Sequence, residues 1–310
     1  MQQSYTLSPF ESRTFDGIDW LDYEPKYRLK TRHFLDGTVD FIMSSLKPKK
    51  LRESTHGTQI IYPKNLTDEE LESKRLENIE RSARRAKQCV HHLVRQIAAD
   101  HMLTLTTREN ITDRDKFYEI FSRFIRLVRE KYLIKTNDGL LHLAPKPTKT
   151  TWHYVACHEL QERGAYHMHV ACVGRQDLQF LRSCWYQALG GSPNDKASNA
   201  LGQIDLQQSK KRWSGLSEVH KTFKLVGYLT KYISKSFADT TVLGTKRYSS
   251  SRLVPKPITH KQYLVATFSC PIETFTKACQ EVFSIADFMG VKDLSPWNNG
   301  LDIFILRGTF

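Results

Sequence analysis

The chain has 310 residues, 40% of them hydrophobic, with a formal net charge of +13 and a pI near 9.4. This length can bury a sizeable core, and sixteen Phe with thirteen Tyr exclude a disordered chain. No apolar run approaches the ~20 residues that span a bilayer, and the six cysteines show neither zinc spacing nor a disulfide pattern.

Residues 1–13 carry no apolar signal segment, so the expectation is a reduced protein of the cytoplasm. The positive charge predicts an anionic partner, nucleic acid first and an anionic membrane surface second. Through residue 65, Pro9, Pro25, Pro48 and Pro63 interrupt any long element. Lys47, Lys49, Lys50 and Arg52 form a basic run, either solvated or touching DNA. This stretch reads as an N-terminal extension without an assigned role.

Thr67 and Asp68 open a helical region, in which Ala86, Val90, Leu93, Val94 and Ile97 recur at helical spacing. Its earlier turns carry Arg81, Arg84, Arg85 and Lys87, either a solvated face or candidate phosphate contacts. Residues 102–107 alternate and are rich in β-branched side chains, which predicts a strand. Asn110 to Asp113 then cap a helix whose stripe is Phe117, Ile120, Phe121, Phe124, Leu127 and Val128. A loop with Pro145 and Pro147 leads to a strand over 152–161, a turn at Arg163-Gly164, and a second strand.

That second strand carries His167-Met168-His169. Strand side chains alternate faces, so both histidines point one way, while Met168, Val170 and Cys172 form an apolar row on the other. Two imidazoles on one face can hold a metal ion; alone, such a pair more often belongs to an ordinary half-buried strand. Further on, a helix is predicted over 176–189, a loop over 190–202 and a short strand over 203–207. Ser217 caps a long helix reaching Phe237, and the tail holds a helix near 272–284 and an apolar strand over 301–306.

The helix around Gly227 reads Tyr228-Leu-Thr-Lys231-Tyr232-Ile-Ser-Lys235. At about 100° per residue, Tyr232, Lys235 and Lys231 lie roughly +40°, −20° and −60° from Tyr228. The four share one face, with Val226, Leu229 and Ile233 centred elsewhere. A solvated Tyr/Lys face is the bland alternative. Chemically, a phenol with a lysine one turn away suits covalent catalysis, because an ammonium favours the phenolate and can meet a phosphate.

Leu103-Thr104-Leu105-Thr106, then His167-Met168-His169, then the two-tyrosine helix resemble the three ordered motifs of rolling-circle replication initiators, the HUH endonucleases. The likeness covers roughly residues 80–250, and the nearest type is the filamentous-phage gene II replication protein. Arg84-Arg85-Ala86 and Arg247-Tyr248-Ser249 are similar to initiators of phages and small plasmids, which adds Arg247 to the candidate DNA contacts. The resemblance implies an α+β fold, a five-stranded antiparallel sheet flanked by helices with a ferredoxin-like or RRM-like core and the histidine strand central.

The same resemblance implies Mg²⁺ or Mn²⁺, nicking and rejoining of single-stranded origin DNA, and a covalent 5′-phosphotyrosine that leaves a 3′-OH primer. Tyr232 matches the nucleophile position and Tyr228 a second tyrosine, with Lys231 and Lys235 beside them. In related enzymes a third metal ligand often lies some eight residues before the first histidine, where Glu159 stands. An odd hairpin turn lets Glu159 sit opposite His169, an even one brings His158 there, and Gln161 shares the Glu159 face. The endonuclease domain then spans 66–250, with extensions over 1–65 and 251–310.

No P-loop is present, so unwinding is expected from a host helicase, with a host polymerase extending the primer. Two other readings fit the same sequence: a transposase of the same chemistry, and a DNA-binding replication regulator without catalysis.

Overall fold

The computed structural model describes residues 27–46, 67–145, 152–173, 177–194, 200–208, 223–232, 247–252, 254–264 and 271–310. In chain order the elements are β1 (Tyr27–His33), β2 (Thr38–Ser45), α1 (Asp68–Gln96), β3 (His101–Thr107), α2 (Arg114–Glu130), β4 (Lys131–Lys135), β5 (Leu141–Pro145), β6 (Tyr154–Leu160) and β7 (Tyr166–Cys172). They continue with α3 (Leu178–Ala188), β8 (Gly202–Gln208), α4 (residues 223–232), β9 (Tyr248–Ser250), β10 (Ile258–Leu264), α5 (Pro271–Phe288), β11 (Lys292–Asn299) and β12 (Ile303–Thr309). The chain divides into two compact units, Asn65–Lys256 and Met1–Lys64 with Pro257–Phe310.

The unit Asn65–Lys256 is α+β. Its antiparallel sheet runs β8-β3-β7-β6-β9, which puts the histidine strand at the centre, as the resemblance implies. Period-two alternation sorts β7 between two cores. Tyr166, Met168, Val170 and Cys172 enter a cluster with the α2 stripe, Phe117, Phe121, Phe124 and Val128, and with Leu181 and Trp185 of α3. Ala171 faces the other way, with Val90 and Val94 of α1 and Leu225, Val226 and Leu229 of α4. The sheet is therefore covered by α2 and α3 on one face and by α1 and α4 on the other.

Local chemistry sets the ends of these elements. Thr67 and Glu70 cap α1 reciprocally, satisfying two orphan N–H groups. Asp113 accepts from the amides of Asp115 and Lys116 at the start of α2. Trp185 is fully buried, edge-on to Phe124 at 5.6 Å, and donates its indole N–H to the Thr106 carbonyl at 3.0 Å. Gly202 is required beside it, because a Cβ there would lie 2.3 Å from the Thr106 oxygen. A two-stranded hairpin, β4 with β5, stands just before the proline loop and was not legible in the sequence.

The other unit joins the two ends of the chain, expected above as separate extensions, in one sheet ordered β10-β1-β2-β12-β11. One face of it packs on α5 through Tyr27, Leu29, Phe41, Met43 and Leu306 against Phe275, Ala278 and Val282. Pro296 lies on the edge strand β11, where its missing N–H costs the sheet no ladder bond. Among the described residues no helix is long and apolar enough to cross a membrane. Cys89, Cys157, Cys172, Cys184 and Cys279 are free thiols, and Cys270 lies outside the described residues.

Candidate active site

The connection between β6 and β7 decides which side chains face α4. Gly164 takes φ +81°, and its N–H donates to the Gln161 carbonyl at 2.8 Å, closing a five-residue link with Leu160 paired to Tyr166. The turn is odd. Glu159 therefore lies directly opposite His167, Cys157 opposite His169, and all four share one face. Glu159 is thus one pair removed from the His169 position, and its carboxylate crosses the diagonal to Nε2 of His169 at 3.0 Å.

The other two candidate ligands fall away for physical reasons. His158 pairs with Met168, faces the opposite core, and shares a 2.7 Å hydrogen bond between its Nδ1 and the Tyr118 hydroxyl. Gln161 lies beyond the strand, and its side-chain oxygen accepts from Arg163 Nε at 2.9 Å.

His169 is 4% exposed and held from three sides. Thr104 is its ladder partner on β3, and the Thr104 hydroxyl lies 3.3 Å from Nδ1. A hydroxyl can donate or accept, so Thr104 supports either imidazole tautomer. Tyr232 covers the imidazole face, with ring centroids 3.8 Å apart and planes 19° from parallel. Tyr228, one turn earlier on α4, stands edge-on to both rings, 6.1 Å from His169 and 4.8 Å from Tyr232.

His167 is half-buried, and its pKa is held down to about 4 by burial, then by His169 and Arg163, against an opposing pull from Glu159. Its imidazole is therefore neutral at physiological pH, the form that offers a lone pair. Tyr232 is shifted the other way. Burial, a hydrogen bond to Tyr228 and the Glu159 charge all hold its phenol above the ordinary value. The lysines expected to favour the phenolate do not appear among these causes: Lys231 is exposed, and Lys235 lies outside the described residues.

The helix face also departs from expectation. Tyr232 is 7% exposed and shares a cluster with Leu225, Val226 and Leu229, because stacking on His169 draws its ring under α4. Thr104 belongs to the quoted Leu-Thr-Leu-Thr strand, yet its contact with His169 was readable only once the sheet register was known. The register also places Asp205 of β8 opposite Thr104, an acidic residue on the site face that the sequence did not signal.

Arg81, Arg84 and Arg85 are exposed on α1 and Lys87 half-exposed, with Arg84 pairing Glu80 at 3.3 Å. Arg247 is instead 8% exposed, close enough to Tyr118 to pull on its hydroxyl. This corrects its reading as a surface DNA contact: the first residue before β9 is folded into the interior. The basic run from Lys47 to Arg52 lies outside the described residues.

The donor set of Glu159, His167 and His169, one carboxylate and two imidazoles on one face, suits a divalent cation of the Mg²⁺ or Mn²⁺ kind. No group of three or more His, Cys, Asp or Glu among the described residues is closed around a metal position. Comparison with curated proteins and with solved structures returned no match. Residues 100–237, which run from the start of β3 past α4 and include every residue of the histidine and tyrosine pairs, match the model of the replication-associated protein ORF2 family, and the match supports a replication initiator.

Proposed function

We propose that the unit Asn65–Lys256 nicks and rejoins single-stranded DNA at a replication origin, as an HUH-type initiator with Tyr232 as nucleophile. The observation that carries this reading is the stack of Tyr232 on His169, with the Glu159 carboxylate at the edge of the same imidazole. Tyrosines that merely filled a core would have no reason to share this spot with a carboxylate and a histidine pair.

In the proposed step the Tyr232 oxygen attacks phosphorus, the bond from phosphorus to the 3′ oxygen breaks, and the DNA 5′-phosphate becomes esterified to the phenol. The phenol loses its proton and the departing 3′ oxygen gains one, so the products are a phosphotyrosine and a free 3′-hydroxyl. Rejoining is the reverse, with the 3′-hydroxyl as attacker. A bound Mg²⁺ or Mn²⁺ would polarise a phosphoryl oxygen as a Lewis acid, held by Glu159, His167 and His169.

The remaining residues prepare that step. Thr104 fixes the His169 ring, and the stack in turn fixes the rotamer of Tyr232. The Glu159 charge holds the phenol protonated at rest. Neutralising that carboxylate removes one cause of the raised pKa, so the nucleophile is restrained until the site is charged. Tyr228 is placed to serve as a second nucleophile in rejoining.

The test is incubation of the full chain with a pool of single-stranded hairpin oligonucleotides of varied loop sequence and Mn²⁺. A covalent protein–DNA band is expected, and Tyr232→Phe should abolish it. Tight binding with intact DNA would favour the non-catalytic regulator, and an adduct that survives in Tyr232→Phe would remove Tyr232 from the role.

A further inference from the structure

The unit formed by the two chain ends has one sheet face that α5 does not cover. Alternation along β1 sends Tyr27 and Leu29 toward α5 and Arg28, Lys30 and Arg32 the other way. The register extends this face across all five strands. One cross-strand row reads Lys261, Lys30, Ile42, Ile305, Trp297 from β10 to β11, and the next begins with Tyr263 beside Arg28.

Trp297 is 56% exposed and Tyr263 is 46% exposed, at opposite edges of the sheet. Exposed aromatic rings that no protein group stacks on are costly for a surface, and here they flank a block of cations. Lys30 is partly desolvated among Arg32, Arg28 and Lys261, all three of which push its pKa down. Cations crowded in this way favour a polyanion that neutralises them together.

We propose that this uncovered sheet face binds single-stranded DNA, with phosphates on the β10–β1 cations and bases stacked on Trp297 and Tyr263. The row from Lys261 to Trp297 crosses four strand spacings, roughly 19 Å, which accommodates several nucleotides laid across the strands. An unpaired strand is specified because a duplex hides its base faces and leaves a planar ring nothing to stack on. Ile42 and Ile305, between the cations and the tryptophan, give the sugar and base edges an apolar floor. This surface is independent of the nicking site and does not need Tyr232.

The test uses the full chain without metal, so that no cleavage intervenes. Photo-crosslinking to a single-stranded oligonucleotide containing 5-iodouracil, followed by peptide mapping, should place crosslinks on Trp297 or Tyr263. In fluorescence anisotropy with a labelled oligothymidylate, Trp297→Ala should weaken binding about tenfold, with the thermal unfolding midpoint unchanged because the side chain is exposed. The double variant Lys30→Gln/Lys261→Gln should flatten the log–log salt dependence by about 1.4, two phosphate contacts at roughly 0.7 each. Crosslinks confined to residues 65–256, variants that keep the affinity and salt slope of the parent chain, or a duplex bound as tightly as the single strand would each overturn the proposal.

Discussion

The Tyr232 ring lies flat on the imidazole of His169, 3.8 Å between centroids, although the two residues are 63 positions apart and sit on different elements. Removing only the hydroxyl separates chemistry from packing here. Tyr232→Phe keeps the stack and loses the nucleophile, so nicking should fall by at least about a thousandfold. Stability should change by about 1 kcal/mol, the value of the lost hydrogen bond to Tyr228. Gel assays of nicking and urea midpoints on the same preparation check both halves.

Thr104 acts through His169 and touches no reacting atom in the proposed step. Thr104→Val keeps shape and removes the hydroxyl at 3.3 Å from Nδ1. The expected loss is about 10- to 100-fold in nicking rate, with the metal concentration for half-maximal rate rising in parallel. Thr104→Ser should restore most of it. A purely structural role would change the unfolding midpoint and leave the metal dependence alone.

Chelation provides a further test. EDTA should abolish nicking, and Mn²⁺ or Mg²⁺ should restore it. Glu159→Gln keeps the side-chain volume and removes the charge, so restoration should need at least about tenfold more metal. Isothermal titration of each variant with Mn²⁺ in the absence of DNA measures the same loss directly.

Tyr118 yields a pH prediction away from the site. Burial is the main cause that pushes its phenol up to about 12, from an ordinary 10. A raised value means that the folded chain keeps this proton more tightly than the unfolded chain does. The contribution is therefore complete below pH 10 and lost as pH rises through 12, on the order of 2 kcal/mol. Tyr118→Phe should be less stable near neutrality by about 1 kcal/mol, through the lost bond to His158. It should also lose less stability than the parent between pH 8 and 11.5, measured by urea unfolding at the two pH values.

What could be read from the sequence was local. The alternation of β7, the stripe of α2, and the caps at Thr67 and Asp113 are signals contained within a few turns of chain, and each element formed where it was expected. The histidine face was equally legible, because a strand sorts its own side chains. The identity of the third acidic group depended on the parity of a five-residue turn, which spacing alone left open between Glu159 and His158.

The terminal sheet was hidden for a different reason. β1 carries a period-two pattern, but its partner β10 lies more than two hundred residues away, and surrounding prolines made the stretch look irregular. Arg247 was misread because a basic residue in a basic chain looks like a surface contact. Its burial beside Tyr118 follows from the pairing of β9 with β6, which the sequence does not announce.

The central claim is that one phenol, the one lying on His169, becomes joined to DNA. Peptide mapping of the protein–DNA adduct by mass spectrometry addresses this most directly. The account predicts that the nucleotide mass resides on the peptide containing Tyr232, at that side chain. An adduct on a tyrosine outside α4, or DNA cleaved through a 5′-phosphate that is never attached to protein, would contradict it.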